Sequence, residues 1–253
     1  MQLSQHGQTM LRHAEEVLEC AGRMSSEADL LSRGTGTSLT IGLNADPTFL
    51  RVSAINQRLT SLHDNINAIF LTSQSVDTAQ MLRRGMIDLG LFYGEIQDAD
   101  IAVSLLSNIR FCLVIPQHLY QPSTLKNWED ISRLPWIWVG NNCPPYLAPK
   151  SHFDKLKVSP NQATLAVDER IVRELVVAGQ GVAMMREDEA RQLADAGQVG
   201  IWEKGWHSLP LNLGWLSDRA EDKIITAARD AIHYIWQEGS FSNPDSLTDK
   251  YWA

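Results

Sequence analysis

Two short polar loops stand where apolar, strand-like runs give way to helical ones: Asn44-Ala45-Asp46 after Leu39–Leu43, and Thr72-Ser73-Gln74-Ser75 after Ile66–Leu71. Asn141-Asn142 and Val167-Asp168 hold equivalent positions further along. The chemistry on offer is recognition rather than bond-making. A helix start carries free N–H groups, and Asp, Asn, Ser and Thr beside it either satisfy those amides or meet a ligand's polar group. Capping alone and capping combined with ligand contact both stay open. Asp88, inside the apolar run Met86-Ile87-Asp88-Leu89-Gly90, needs hydrogen bonds or a positive partner. It reads as a structural carboxylate that holds nearby amides, in preference to a ligand contact.

Catalytic spacings are missing. The sequence has no G-x-S-x-G, H-E-x-x-H, C-x-x-C or G-x-x-x-x-G-K-[ST]. Gly179-Gln180-Gly181 lacks the third glycine of a dinucleotide fingerprint and reads as a helix C-cap followed by a tight turn. The 7 histidines are scattered without metal-ligand spacing, and His6 and His13 on the first helix read as solvated. No catalytic residue, metal or cofactor is expected, and the chain is not expected to be an enzyme. Cys20, Cys112 and Cys143 fit neither a disulfide framework nor a zinc site, which points to a reducing cytosol. The net charge of −8 and the scattered Lys and Arg leave no basic stripe, so this chain alone should hold DNA weakly at best.

The elements that must position those loops follow from hydrophobic period. At 253 residues the chain can bury a full core as one large domain or two small ones. No run of about 18 apolar residues is present, so no membrane span is expected. The stretch Gln2–Gln8 lacks an apolar signal region, so a cytoplasmic location is expected. Leu3 to about Leu31 reads as one long helix. Its narrow apolar stripe (Leu3, Met10, Leu11, Ala14, Val17, Leu18, Ala21, Met24) wants a partner helix, unless it packs on its own domain. Gly34-Thr35-Gly36 reads as a hinge.

Strand and helix then alternate, as a parallel α/β architecture requires. Strands are expected at 39–43, 66–71, 87–92 and 109–115, with helices at 47–63 and 76–84. A second set follows, with strands at 136–139, 181–185 and 199–202 and helices at 169–178 and 187–196. A last strand at 211–216 and an amphipathic helix from Glu221 to about Trp236 complete it. The pattern suggests two halves with crossovers near Ile115-Pro116 and Asn212-Gly214. The tail 239–253, with Tyr251-Trp252, reads as loose.

Several of these pieces together resemble the LysR-type transcriptional regulators. Leu3-Ser4, Gly7, Met10-Leu11, Ala14 and Val17-Leu18 are similar to the family's linker helix. Leu39-Thr40-Ile41-Gly42 and Gly85-Met86-Ile87-Asp88-Leu89-Gly90 resemble its first subdomain. Pro135-Trp136-Ile137 and Val177-Ala178-Gly179-Gln180-Gly181-Val182-Ala183 resemble its second. Departures are Met185-Arg186, where a proline often ends the strand, and Ser53 at a position where the family has proline. The family's winged helix-turn-helix, which would precede Leu3, is not in the sequence.

The resemblance implies two α/β subdomains of periplasmic-binding-protein type, joined by two crossovers and preceded by a long linker helix. It divides the chain into a linker and dimerisation helix (1–33), subdomain I (39–115 plus 214–236), subdomain II (116–213) and a tail (239–253). It implies a small-molecule effector in the cleft between subdomains, facing Asp46, Thr48, Ser75, Asn141, Asn142 and Asp168. It implies a homodimer or homotetramer, and DNA contact only through the missing winged helix-turn-helix. Asp46 and Asp168 with no Lys or Arg in those loops lean towards an effector with an amine or hydroxyls. The alternative is a free-standing solute-binding receptor of the same fold. Effector identity, target genes and the sense of regulation are not written in the sequence.

Overall fold

The computed structural model describes residues 37–63, 65–140, 142–166 and 168–241, together with 4, 6, 7, 10, 11, 13, 14, 17, 18, 21 and 24; of 238–241 only the backbone is described. Among the described residues of the leading segment, 6, 7, 10, 11, 13, 14, 17, 18, 21 and 24 are helical. Met10, Leu11, Val17, Leu18 and Met24 of its apolar stripe are exposed, Leu18 by 70%. The hinge Gly34-Thr35-Gly36 and the tail from 242 onwards lie outside the described residues.

Strands β1 (Thr37–Leu43) and β2 (Ile66–Thr72) run parallel, in register from Thr37 opposite Ile66 to Leu43 opposite Thr72. Helix α1 (Val52–Leu62) makes the crossover, with Ile55 and Leu59 on its buried side. Helix α2 (Thr78–Arg83) leads to β3 (Leu89–Tyr93), parallel to β1 on its other edge. Right-handed βαβ crossovers of this kind put the loops that follow β1 and β2 at one end of the sheet.

Two long antiparallel strands then tie the molecule together. β4 (Ile101–Pro116) pairs with β9 (His207–Leu216) from Ile101 opposite Leu216 to Phe111 opposite His207. β9 also pairs with β3. Along Phe111–Pro116, β4 takes β7 (Ala183–Arg186) and β8 (Val199–Ile201) as partners. The result is one curled sheet in the order β2-β1-β3-β9-β4-β7, with β8 also on β4. β5 (Pro135–Val139) and β6 (Asn161–Ala166) form a separate parallel pair, hooked to the segment before β7 by a bridge between Trp136 and Val182.

Helices α3 (Trp128–Ser132), α4 (Pro144–Leu156), α5 (Glu169–Val177), α6 (Glu187–Asp195) and α7 (Lys223–Phe241) cover the sheets. The largest core cluster runs from Leu39 and Ile41 on β1 through Leu91 and Leu113 to Trp136, Phe153 and Ile232. A second cluster joins Cys112, Val114, Ile137, Val172, Val176 and Leu193. No helix among the described residues is long and apolar enough to cross a membrane.

Asp88 sits where a structural carboxylate should. Its Oδ2 accepts from the Thr40 amide at 2.7 Å, its own amide donates to the Thr40 carbonyl, and Arg219 Nη1 reaches Oδ1 at 2.5 Å. The carboxylate therefore clamps β1 to the entrance of β3 and fixes α7's approach through Arg219, which also holds Asp222.

Candidate functional site

A cavity of about 440 Å³ opens at the carboxyl ends of β1, β2 and β5. This is where an open α/β sheet leaves room for a ligand, because strands diverge and helices begin there. One wall comes from Asn44–Pro47, Thr72–Val76 and Tyr93; the other from Val139–Gly140, Asn142–Tyr146, Asp168–Arg170 and Met184–Arg186. Phe111, on β4, forms part of the lining.

Of the residues expected to face an effector, Asp46, Ser75, Asn142 and Asp168 line this cavity. Thr48 is exposed outside the lining, and Asn141 lies outside the described residues. Local bonds explain their placement. Asp46 Oδ1 accepts from the amides of Thr48 (2.8 Å) and Phe49 (3.0 Å), fixing the turn that leads towards α1. Ser75 Oγ accepts from the Tyr93 amide at 3.0 Å and lies 3.2 Å from the Asn44 side-chain amide, so it joins three chain segments at the cavity wall. Asp168 caps α5 by accepting from the Arg170 amide at 2.8 Å. Desolvation pushes the Asp168 pKa up, but bonds from the Arg170 side chain and backbone outweigh it and hold the group below its ordinary value.

The charged centre of the site was not foreseen. Arg186, at the end of β7, is only 3% exposed. Its Nη1 donates to Glu169 (2.6 Å), its Nε to Asp188 (3.1 Å) and its Nη2 to Glu189 (2.8 Å). Its guanidinium also lies 4.0 Å from the centre of the Phe49 ring, which belongs to the segment before α1. A buried cation survives only when paired, and this one is paired three times over. Glu169 is a third exposed, yet what it exposes is cavity wall; dehydration there pushes its pKa up to about 7, with Arg186 opposing. Burial likewise raises the pKa of Glu189.

The sequence carried a signal for this centre. Met185-Arg186 puts an arginine at the end of an apolar strand, and Glu187-Asp188-Glu189 follows at once. The named loops carry no Lys or Arg, as read from the sequence, but Arg170 and Arg186 line the cavity from helix and strand. Tyr93 was also missed. It is 4% exposed, lines the cavity, and its hydroxyl finds no hydrogen-bond partner among the described residues. Burial pushes its pKa well above the ordinary value, Glu169 adds to that, and Arg186 opposes it. No group of three or more His, Cys, Asp or Glu among the described residues is arranged to hold a metal ion.

Comparison with known proteins agrees with this architecture. The LysR substrate binding domain family matches residues 32–237. The effector-binding domain of QuiR, solved in complex with shikimate, superposes with a TM-score of 0.65 at 15% identity, covering 81% of this chain and 99% of that one. Full-length LysG from Corynebacterium glutamicum, with bound effector Arg, gives 0.63 at 17% identity over 94% of this chain and 80% of that one. Full-length CbnR complexed with its target DNA gives 0.62 at 13% identity over 94% and 85%. At these identities the structural likeness speaks for the fold alone. No curated protein matches the sequence. The family match over most of the length is decisive: the chain belongs to the LysR substrate-binding domain family, the regulatory half of LysR-type transcriptional regulators.

Proposed function

We propose that the chain senses a small-molecule effector in the cavity at the ends of β1, β2 and β5 and passes the signal on within a LysR-type regulator. The observation that carries this reading is the cavity itself. It is walled by both halves of the molecule, so a ligand inside it is bound differently when the halves shift. A ligand changes a conformational equilibrium only through such differential contact. Family membership supports this reading over a free-standing solute receptor. The solved relatives hold effectors as unlike as shikimate and arginine, so the fold does not fix the ligand.

Ser75 tests the reading. Its hydroxyl both supports the cavity wall and faces the lining. Screening by thermal shift identifies a ligand, since binding to the native state raises the melting temperature. Ser75→Ala should then weaken that ligand about fivefold to tenfold, the worth of one hydrogen bond of about 1 kcal/mol, and leave the chain folded. A ligand whose affinity withstands both Ser75→Ala and a cavity-filling Ala45→Trp places the effector site elsewhere.

Self-association belongs to the same reading. Met10, Leu11, Val17, Leu18 and Met24 on the leading helix are exposed in the isolated chain, and an apolar stripe of that kind is stable when covered by a second helix. We take the second helix to come from another copy. Sedimentation should show a dimer or tetramer at micromolar concentration. Deletion of residues 1–33 should shift it towards monomer with the α/β domain intact. A purely monomeric full chain would end this part of the proposal.

A further inference from the structure

The cavity's charges do not balance. Among the described residues, Asp46, Asp168, Glu169 and Glu189 line it, against only Arg170 and Arg186. Arg186 is spent, while Arg170 is exposed and only leans on its neighbour. Arg170 lies against Asp168, and Arg186 meets Glu169, Asp188 and Glu189 together. Two of the chain turns at the cavity hold their own amides as well. Asp46 takes the amides of Thr48 and Phe49, and Asp168 takes that of Arg170. Helix α4 enters the cavity with Pro144-Pro145, which have no N–H to offer.

Around Arg186 the side-chain atoms left over are negative or neutral. Glu169 meets Arg186 through Oε2 alone and Glu189 meets it through Oε1 alone among the described residues, so each keeps a second carboxylate oxygen. Tyr93 lines the same cavity, and its buried hydroxyl, close to Arg186, makes no hydrogen bond of good geometry among the described residues. Val139, Tyr146, Val172 and Met184 supply apolar wall.

We propose that the effector is a small organic cation, an ammonium or guanidinium group on an apolar body. Its charged head sits between Glu169 and Glu189 against the Tyr93 hydroxyl, and its body lies along the Met184 and Tyr146 wall. The inference rests on the effector-cleft reading and narrows it. It also explains why three carboxylates surround one buried guanidinium: the site is built for a second positive charge. Burial pushes the Glu169 pKa up to about 7. The groups that face it are Arg186 on β7, Asp188 and Glu189 on α6, Asp168 at its own helix start, Tyr93 on β3, and Cys143 and Tyr146 at the start of α4. A bound cation favours ionised Glu169, so binding releases a proton below about pH 7 and tightens as pH rises from 6 to 8.

The test is a matched panel on the full chain. 2-Phenylethylamine, isoamylamine and agmatine are compared with 3-phenylpropionate and 4-methylvalerate, first by thermal shift and then by titration calorimetry in buffers of different ionisation enthalpy. At least one amine should bind, with proton release greater at pH 6.5 than at pH 8. Glu169→Gln and Glu189→Gln should each weaken it at least about tenfold, with unfolding curves confirming that both variants fold. The proton release is read on the unmodified chain and does not depend on any variant. Failure of every amine to bind, tighter binding of the matched acid, or indifference to Glu169→Gln overturns the inference. An acid whose binding disappears in Ala45→Trp leaves the effector cleft standing and removes only the cation. An amine that survives Ala45→Trp removes the cleft reading too.

Discussion

Arg186→Met should destabilise the chain by about 2–3 kcal/mol at pH 8, the cost of removing the buried counter-charge shared by three partly exposed carboxylates. Methionine keeps much of the volume and can still pack against Phe49, so the loss is electrostatic more than steric. Glu169, Asp188 and Glu189 all lose their shared partner at once. The pH dependence follows from the directions of the shifts. Glu169 and Glu189 already have folded-state pKa values above their ordinary ones. A raised carboxyl favours the folded state fully below its unfolded pKa, and that contribution is lost as pH rises through the folded value, about 7 for Glu169. Without Arg186 both values climb further, so the variant recovers part of its deficit at pH 5.5, where protons replace the missing guanidinium. Urea unfolding at pH 8 and 5.5 measures this. A loss below about 1 kcal/mol at pH 8 would mean that water, and not Arg186, compensates these carboxylates. Adding Glu169→Gln and Glu189→Gln to Arg186→Met should restore much of the lost stability, since removing a whole ionic cluster costs less than removing its centre.

The same cluster shows what the sequence could and could not reveal. The loops at Asp46 and Asp168 were legible because their bonds are local, each carboxylate holding amides within three positions of itself, whereas Ser75 bonds the distant Tyr93 amide and caps nothing. Arg186 draws on Glu169, Asp188, Glu189 and Phe49, which come together only when β7 lies beside β4 and α5 folds over it. Only the short-range part, an arginine followed by an acidic run, was visible in advance.

Secondary structure divides along similar lines. β1, β2, α5, α6 and the final helix show plain periodicity. Helix α4 was missed because Pro144, Pro145 and Pro149 read as breakers; the first two occupy positions where a helix start needs no N–H. β6 was missed because Asn161, Gln162 and Ala163 are exposed and carry no apolar alternation. β4 begins at Ile101, ahead of the expected Ile109, and a register shift between Leu105 and Ser107 spoils its period of two.

Two glycines two positions apart make the sharpest contrast in backbone demand, and Gly181→Ala should cost about 2–4 kcal/mol, more than Gly179→Ala. Gly179 ends α5 with a φ of 78°, its amide donating to Val176 and the next to Leu175, as a left-handed helix stop requires. A methyl there meets the His118 ring at 2.8 Å, and a side chain can swing aside. The cost is then mainly conformational, about 1 kcal/mol. At Gly181 the same methyl would stand 2.6 Å from the Pro135 carbonyl oxygen, which is backbone and cannot yield alone. That carbonyl accepts from the Val182 amide at 2.8 Å, and the Val182 carbonyl accepts from Ile137 at 3.0 Å. Moving Pro135 therefore strains the bridge that hooks β5 to the main sheet, and β5 carries Val139 and Gly140 to the cavity. Gly181→Ala should lower the unfolding midpoint and weaken any cavity ligand together, whereas Gly179→Ala should lower stability modestly with affinity unchanged. Denaturant unfolding and ligand titration on both variants separate the two. Equal stability losses would show that Pro135 is free to move and that the bridge to β5 carries little strain.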